Sequence, residues 1–278
     1  MTCNPRNFER PQERSEEIVA LVQRQGFVSI ERLARYFGVT PQTIRRDINS
    51  LCEAGRLRRY HGGAGLPSSV ENMAYQTRRV LMKTEKDAIA ELCAAEVPDG
   101  ASLFLNIGTT TEAVAGALDD HAGLRIVTNN LNVAVRTATN PGFETIVAGG
   151  VVRHRDLGIV GEATIDLIGQ FKLDFGIIGI SGIDADGSLL DFDYREVRVA
   201  QAIIRNSRRV FLVADHTKFG RSAMVRLGTL DQIDALFTDA PPPAPFAEVL
   251  ARHDVEVHVA PPLDGVAQDL CLDASSAA

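Results

Sequence analysis

Apolar residues recur along the first sixty positions at the spacing of short amphipathic helices. Between Glu13 and Gln25, the residues Ile18, Leu21, Val22 and Gln25 fall on one stripe, and Gly26 stops the pattern. Ser29 is placed to cap a second helix in which Leu33, Ala34 and Phe37 face inward, and Gly38 follows with the turn. Thr40-Pro41 then opens a third helix. Threonine serves as N-cap, and proline takes the first helical position, where its missing N–H costs nothing. Within that helix Ile44, Ile48 and Leu51 recur at i, i+4 and i+7 and must pack inward.

From residue 101 the pattern changes to short apolar runs alternating with helical segments. Strands are expected at Ser102–Ile107, Leu124–Thr128, Thr145–Ala148, Phe175–Ile180, Val210–Ala214, Ala235–Thr238 and Glu256–Val259. Helices are expected between them at Glu112–Leu118, Asn132–Ala138, Ala163–Gln170, Arg195–Asn206 and Pro245–His253. Such alternation builds an α/β fold with a largely parallel sheet, and ligands of such folds sit beyond the carboxyl ends of the strands. Before it, Thr84 is placed to cap a helix running to about Val97 and burying Ile89, Leu92 and Cys93, whereas residues 72–83 are polar and basic without an apolar stripe.

The expected organisation is a DNA-binding module at 1–65, a linker and connecting helix at 66–97, and an α/β effector domain at 98–260. Leu66-Pro67-Ser68-Ser69 marks the start of the linker. The stretch 261–278, rich in Pro, Asp, Ser and Ala, is expected to be a flexible tail.

Charge changes the picture. The whole chain carries net −7, which by itself argues against a nucleic-acid partner. Residues 1–63, however, hold eleven arginines against seven acids, a net +4 that leaves −11 on the remainder. A basic head on an acidic body is the footprint of a DNA-binding module joined to a domain with another task. Aromatic residues make up 6% of the chain and tryptophan is absent, which argues against stacking platforms for single-stranded nucleic acid. Cys3, Cys52, Cys93 and Cys271 are scattered without a C-x-x-C pair, so neither a zinc site nor a disulfide framework is expected. The first twenty residues contain no apolar run, and no stretch reaches membrane-spanning length, so a cytoplasmic location and no membrane partner are expected.

The polar face of the third helix carries the candidate chemistry for DNA. Opposite Ile44 and Ile48 it presents Gln42, Thr43, Arg46, Asn49 and Ser50, with Arg45 on the flank and Thr40 at the helix start. Hydrogen-bonding side chains on the N-terminal half of a helix suit base edges and phosphates. Asp47 lies near the apolar edge and suits a structural ion pair instead. After Gly55, the run Arg56-Leu57-Arg58-Arg59-Tyr60-His61-Gly62-Gly63 reads as a basic hairpin, or wing. In it Arg58, Arg59 and His61 either lie against phosphates or merely solvate a surface.

Several loops of the second half share a phosphate chemistry. Gly108-Thr109-Thr110-Thr111 joins a strand directly to a helix: glycine lets a phosphate approach the backbone, and the helix N-terminus offers N–H groups and positive potential. A plain threonine cap at Thr111 is the alternative. Other strands end in Asn129-Asn130 and in Ser181-Gly182-Ile183-Asp184, effector-site loops in which Asn129, Asn130 and Asp184 suit hydroxyl groups, while Lys218 is the obvious cation for a phosphate dianion. The set fits a phosphorylated polyol or sugar. A dinucleotide cofactor is not expected, because no G-x-G-x-x-G follows a strand.

T-I-R-R-D at 43–47 with H-G-G-A at 61–64 resembles the winged helix-turn-helix of DeoR-type repressors. N-I-G-T-T, L-D-F-G-I-I-G-I-S-G-I-D and D-H-x-K-F-G-R are similar to the effector domain of the same family, in particular of members that answer to glycerol 3-phosphate. The resemblance covers nearly all of residues 12–260, and implies an N-terminal all-α winged helix-turn-helix plus a C-terminal α/β domain similar to ribose-5-phosphate-isomerase-type sugar-phosphate folds. It further implies a homo-oligomeric repressor of glycerol metabolism genes, bound to a double-stranded DNA operator and released by sn-glycerol 3-phosphate, without catalysis, cofactor or metal. Many members carry Asp where this chain has Asn106. Two alternatives stay open. One is an isomerase-like enzyme fused to a DNA-binding module, for which Asp184, Glu196 and Lys218 are available; the other is a repressor answering to another sugar phosphate.

Overall fold

The structure, a computed structural model, describes residues 11–25, 27–54, 56–60, 62–65 and 75–261. His61, the linker start at 66–69 and the tail from 262 onward lie outside the described residues.

The N-terminal module consists of α1 (Pro11–Gln25), β1 (Phe27–Ser29), α2 (Ile30–Phe37), α3 (Pro41–Glu53), β2 (Arg58–Tyr60) and β3 (Gly63–Gly65). Both predicted caps form: Ser29 Oγ accepts from the Arg32 N–H at 3.2 Å, and Thr40 Oγ1 from the Thr43 N–H at 3.2 Å. Ile18, Val22, Leu33, Ile44, Ile48 and Leu51 meet in one buried core, as the helical spacing requires. The module is not all-α. β1 and β2 each pair antiparallel with β3, so three strands back the helices. A three-residue strand such as β1 is too short for alternation to show, and only its pairing with the wing creates it.

The chain continues through α4 (Tyr75–Val80), α5 (Lys83–Ala95), β4 (Ser102–Leu105), α6 (Thr109–Ala117), β5 (Arg125–Thr128), α7 (Leu131–Thr137) and β6 (Glu144–Val147). A hairpin of β7 (Val151–Val152) and β8 (Ile159–Val160) leads to α8 (Glu162–Ile168) and β9 (Leu173–Gly179). Then follow β10 (Gly182–Ile183), β11 (Ser188–Asp191), α9 (Tyr194–Arg205), β12 (Ser207–Val213), β13 (Val225–Thr229), β14 (Ala235–Thr238), α10 (Ala244–Arg252) and β15 (Glu256–Val259).

Seven strands form one parallel sheet in the order β15-β14-β12-β9-β4-β5-β6. Their side chains alternate between two cores. Leu103, Leu105, Ile177, Phe211 and Phe237 pack under α5, α6 and α7, while Phe104, Ile178, Leu212 and Leu236 pack under α8, α9 and α10. Burial on both faces explains why the five inner strands read as continuous apolar runs, whereas the edge strands β6 and β15 are more exposed. The chain builds outward from β4 to β6, then crosses to β9 and builds the other way. The reversal between β4 and β9 is the topological switch point, where a crevice opens beyond the strand ends.

Several elements depart from the sequence expectation, the β7–β8 hairpin among them. α4 forms within the stretch that lacks an apolar stripe, because tertiary contacts rather than periodicity hold it. Thr84 does not cap α5; Met82 stands at the N-cap with φ 54° and no side-chain cap bond. A second, antiparallel sheet of β10, β11 and β13 also appears, from strands of two to five residues that carry little periodic signal.

Candidate functional site

The exposed face of α3 presents Gln42, Arg45, Arg46, Asn49 and Ser50 to solvent, opposite the buried Ile44, Ile48 and Leu51. Thr40 and Thr43 are partly occupied in building the helix start: their hydroxyls lie 3.0 Å apart, and Thr40 caps the helix. Asp47 is an anchor rather than a reader. Arg14 of α1 donates to it through Nε at 2.6 Å and Nη2 at 3.2 Å, with both side chains largely buried. The hydrogen bond and the carboxylate charge raise the Arg14 pKa despite its burial. That bidentate pair ties α1 to the recognition helix and sets its angle. In the wing, Arg59 is exposed and its Nη1 donates to Asn49 Oδ1 at 3.1 Å, so two candidate DNA contacts meet each other. Arg58 lies on β2 beside it.

Arg46→Ala is expected to weaken specific operator binding by roughly 1–3 kcal/mol if Arg46 reads a guanine edge. Fluorescence anisotropy with specific and scrambled duplexes checks this. Equal loss on both would mark Arg46 as a phosphate contact instead.

The crevice at the switch point is a polar cleft open to solvent. Ile107, Gly108, Thr109 and Thr110 form one wall, at the N-terminus of α6. Gly108 sits at the N-cap with φ 155°, a conformation that side chains other than glycine rarely adopt, and no side chain caps the helix there. The first N–H groups of a nine-residue helix are thus turned toward the cleft, an arrangement suited to an anion. Lys218 and Arg221 line it from the segment after β12, and Arg78 lines it from α4. Lys218 Nζ is 3.3 Å from Asp215 Oδ2. Burial, then the neighbouring Arg221 and Arg78 charges, lower the Lys218 pKa, with Asp215 acting in the opposite direction. Burial would push Asp215 up, but Lys218, the Thr217 hydroxyl and Lys86 hold its carboxyl well below the usual carboxylate range.

The far side of the cleft is acidic. Asp191 is buried and accepts from Ser181 Oγ at 3.1 Å and from the Phe192 N–H at 2.6 Å. Burial raises its pKa. Glu196 sits near it and is held 2.8 Å from Arg153 Nη2. Arg153 is a buried hub on the β7–β8 turn that also pairs with Asp156 at 2.7 Å and Asp193 at 2.9 Å. Asp193 in turn caps α9 through the Arg195 N–H. Burial, then the Asp191 charge, push Glu196 up to about 7. A carboxyl raised on folding contributes stability that is fully present below 4.5 and lost as pH rises through about 7. Glu196→Gln is therefore expected to flatten the fall in thermal stability between about pH 5 and about pH 8, read by melts across that range.

The structure brings four of the nine sequence-nominated effector residues to the cleft: Gly108, Thr109, Thr110 and Lys218. It places the other five elsewhere. Thr111 is fully buried and donates to the Asn106 and Gly108 carbonyls at 2.7 and 2.8 Å, shaping the turn that presents the helix end. Asn129 donates to the Ile159 carbonyl, and Asn130 caps α7 while donating to Glu112; both are buried beneath the surface. Gly182 stands behind Ser181, where an added Cβ would lie 1.9 Å from the Arg221 carbonyl oxygen. Asp184 is exposed at the β10–β11 turn and accepts from the Ala185 N–H. Asn106 is buried, with no donor to its Oδ1 among the described residues.

Conversely Arg78, Ser181, Asp191, Glu196 and Arg221 line the cleft without having been nominated for ligand binding. Arg221 sits in the same D-H-x-K-F-G-R run as Lys218, and Ser181 in the L-D-F-G-I-I-G-I-S-G-I-D run, so those motifs already held them; Glu196 is a sequence candidate only for catalysis, and nothing local marks Arg78. Among the described residues no group of three or more His, Cys, Asp or Glu side chains is placed to hold a metal ion, and no helix is long and apolar enough to cross a membrane.

Residues 14–70 match the DeoR-like helix-turn-helix domain and residues 82–240 the DeoR C-terminal sensor domain. The glycerol-3-phosphate regulon repressor of Escherichia coli (strain K12) is 54% identical over 247 residues, covering 89% of this chain and 98% of that protein. The HTH-type transcriptional repressor CsqR of the same organism is 41% identical over 257 residues, covering 92% of this chain and 95% of that one. Among solved structures, ribose 5-phosphate isomerase from Plasmodium falciparum aligns with a TM-score of 0.37 at 14% identity, covering 50% of this chain and 53% of that one. With the helix-turn-helix in one domain and the sensor fold in the other, the chain belongs to the DeoR family of transcriptional regulators, as a DNA-binding repressor rather than an enzyme.

Proposed function

We propose that this protein represses genes of glycerol 3-phosphate uptake and oxidation, and that glycerol 3-phosphate bound in the switch-point cleft releases it from its operators. The observation that carries this reading is the division of charge across the cleft. An uncapped helix N-terminus with Lys218 and Arg221 faces one side, and Asp191 and Glu196 face the other. A phosphoryl dianion suits the first set and the hydroxyl groups of a short polyol suit the second. The kinship with glycerol-3-phosphate regulon repressors supports the glycerol backbone over longer sugars.

Gln42, Thr43, Arg45, Arg46 and Asn49 read or approach the major groove, with Thr40 at the helix start. Arg58, Arg59 and His61 hold the phosphate backbone. The protein acts in the cytoplasm as a homo-oligomer, whose heads engage half-sites about one helical turn apart.

Operator binding measured by anisotropy with and without saturating sn-glycerol 3-phosphate tests the reading. A tenfold weakening corresponds to a coupling of about 1.4 kcal/mol, and the DNA must weaken ligand binding by the same factor. Operator affinity that stays unchanged, or that responds better to a phosphorylated C4–C6 compound, removes the glycerol 3-phosphate assignment.

A further inference from the structure

The segment that joins the two domains carries a cation into the effector cleft. Arg78, on α4, lines the cleft with a side chain 19% exposed. Its Nε is buried with no hydrogen-bond partner among the described residues. Its ion-pair contact there is Asp156 Oδ2, at the long distance of 4.0 Å, and that oxygen is already held by Arg153 at 2.7 Å. A guanidinium so placed has donor capacity unspent in a mostly desolvated position, which is costly unless a further acceptor arrives.

The helix bearing Arg78 is fastened at its start to α6, which lines the same cleft, and at its end to α5. At its start, the Tyr75 hydroxyl donates to Glu112 Oε2 at 2.7 Å and accepts from Asn132 Nδ2 at 3.0 Å. Glu112 belongs to the first turn of α6, the helix whose N-terminus opens on the cleft. At its end, the buried Lys86 ammonium of α5 donates to the Arg78 carbonyl and to the Leu81 carbonyl, the latter at 2.6 Å. Burial, then the Lys218 charge, lower the Lys86 pKa to about 8. Arg78, Lys86, Lys218 and Arg221 therefore crowd one another, opposed by Asp215, which pairs with Lys218, and by Asp191 and Glu196, which feel the Arg78 charge from the facing wall. A doubly charged anion on the α6 N-terminus relieves this crowding.

We infer that Arg78 is an effector-binding residue, its guanidinium closing on the phosphoryl group seated at Gly108–Thr110, so that the interdomain linker is itself one wall of the ligand site. The inference rests on the phosphate reading of the cleft. It adds how occupancy reaches the head: the ligand is gripped by the segment that leads to the DNA-binding module, and no rearrangement of the seven-stranded sheet is needed. A guanidinium that served only to neutralise Asp191 and Glu196 would have no preference between phosphorylated and neutral ligands.

The test uses the full chain, with calorimetric titration of sn-glycerol 3-phosphate, inorganic phosphate and glycerol. Arg78→Gln is expected to weaken both phosphate compounds by at least about tenfold, the loss of a charge-assisted hydrogen bond, and Arg78→Lys to recover part of that loss. In the wild-type protein, saturating sn-glycerol 3-phosphate is expected to slow tryptic cleavage after Arg78 and Arg79 several-fold. That measurement decides the matter should Arg78→Gln not fold. Wild-type affinity for the phosphate compounds retained by Arg78→Gln, or cleavage indifferent to ligand that calorimetry shows to be bound, overturns the role of Arg78 alone. Wild-type protein that binds neither phosphate compound overturns the phosphate reading, and this inference with it.

Discussion

Replacing Lys218 with methionine is expected to abolish the effector response while operator binding by the head persists. Lys218 Nζ stands 3.3 Å from Asp215 Oδ2; Asp215 is buried and the Lys218 side chain is 11% exposed. The other bonds to Asp215 come from the Thr217 N–H at 3.0 Å and the Thr217 hydroxyl, both on Oδ1. Removing the ammonium leaves a buried carboxylate without its counter-charge, a lesion that destabilises by about 3–5 kcal/mol. The same substitution takes the nearest lysine from the anion end of the cleft. Two measurements separate these effects. The single variant is expected to melt well below the wild type and to show no calorimetric response to glycerol 3-phosphate. Lys218→Met combined with Asp215→Asn is expected to recover most of the stability and none of the ligand affinity. A double variant that regains binding would show that Lys218 serves the fold and not the ligand.

Gly182→Ala is the second large effect expected. The ideal Cβ would meet the Arg221 carbonyl oxygen at 1.9 Å and its carbonyl carbon at 2.9 Å, far inside van der Waals contact with backbone that has little room to yield. Gly182 pairs with Leu190 across β10 and β11, and the adjoining Ile183 bridges to Phe219 and accepts from the Gly220 N–H. Relief of the clash must therefore part β10 from the loop that carries Lys218 and Arg221. Overpacking of this kind costs about 1–3 kcal/mol or more. The variant is expected to melt lower, to bind ligand poorly and to hold operator DNA regardless of glycerol 3-phosphate. Wild-type melting and wild-type ligand affinity in this variant would mean that the loop moves freely and does not set the geometry of the cleft.

The head was legible residue by residue because its signals are local. A cap needs only a side chain and an N–H three residues on, which is why Ser29 and Thr40 could be placed from their neighbours alone. The spacing of Ile44, Ile48 and Leu51 likewise determined which face of α3 is left for DNA, and put Asp47 at the edge where Arg14 meets it. The five inner strands of the sheet were visible for a related reason. Burial on both faces turns a strand into an uninterrupted apolar run, which survives without knowledge of its neighbours. Strands of two or three residues, as in β1 and the β10–β11 pair, leave no run long enough to see.

The cleft was legible only in part. Gly108-Thr109-Thr110 and Lys218 carried recognisable phosphate chemistry in their own loops. Thr111, Asn129 and Asn130 carried the same side chains, but a hydroxyl or an amide does not reveal whether it will face a ligand or a neighbouring carbonyl. Their burial turned them to Asn106, Gly108, Ile159 and Glu112 instead. Arg78 had no apolar stripe around it to announce a helix. α4 is held because Tyr75 finds partners some tens of positions away and Lys86 of the next helix reaches back to the Arg78 and Leu81 carbonyls.

By itself, then, the sequence determined that a basic helix-turn-helix precedes a parallel α/β domain, since periodicity, caps and charge segregation are properties of contiguous residues. The tertiary structure alone decided the composition of the effector site. Its walls come from α4, from the start of α6, from the ends of β9 and β11, from α9 and from the loop after β12, and these segments meet only because the sheet reverses its winding between β4 and β9. That reversal places Arg78 of the linker beside Lys218, more than a hundred residues later, and so makes one cleft answer to both halves of the molecule.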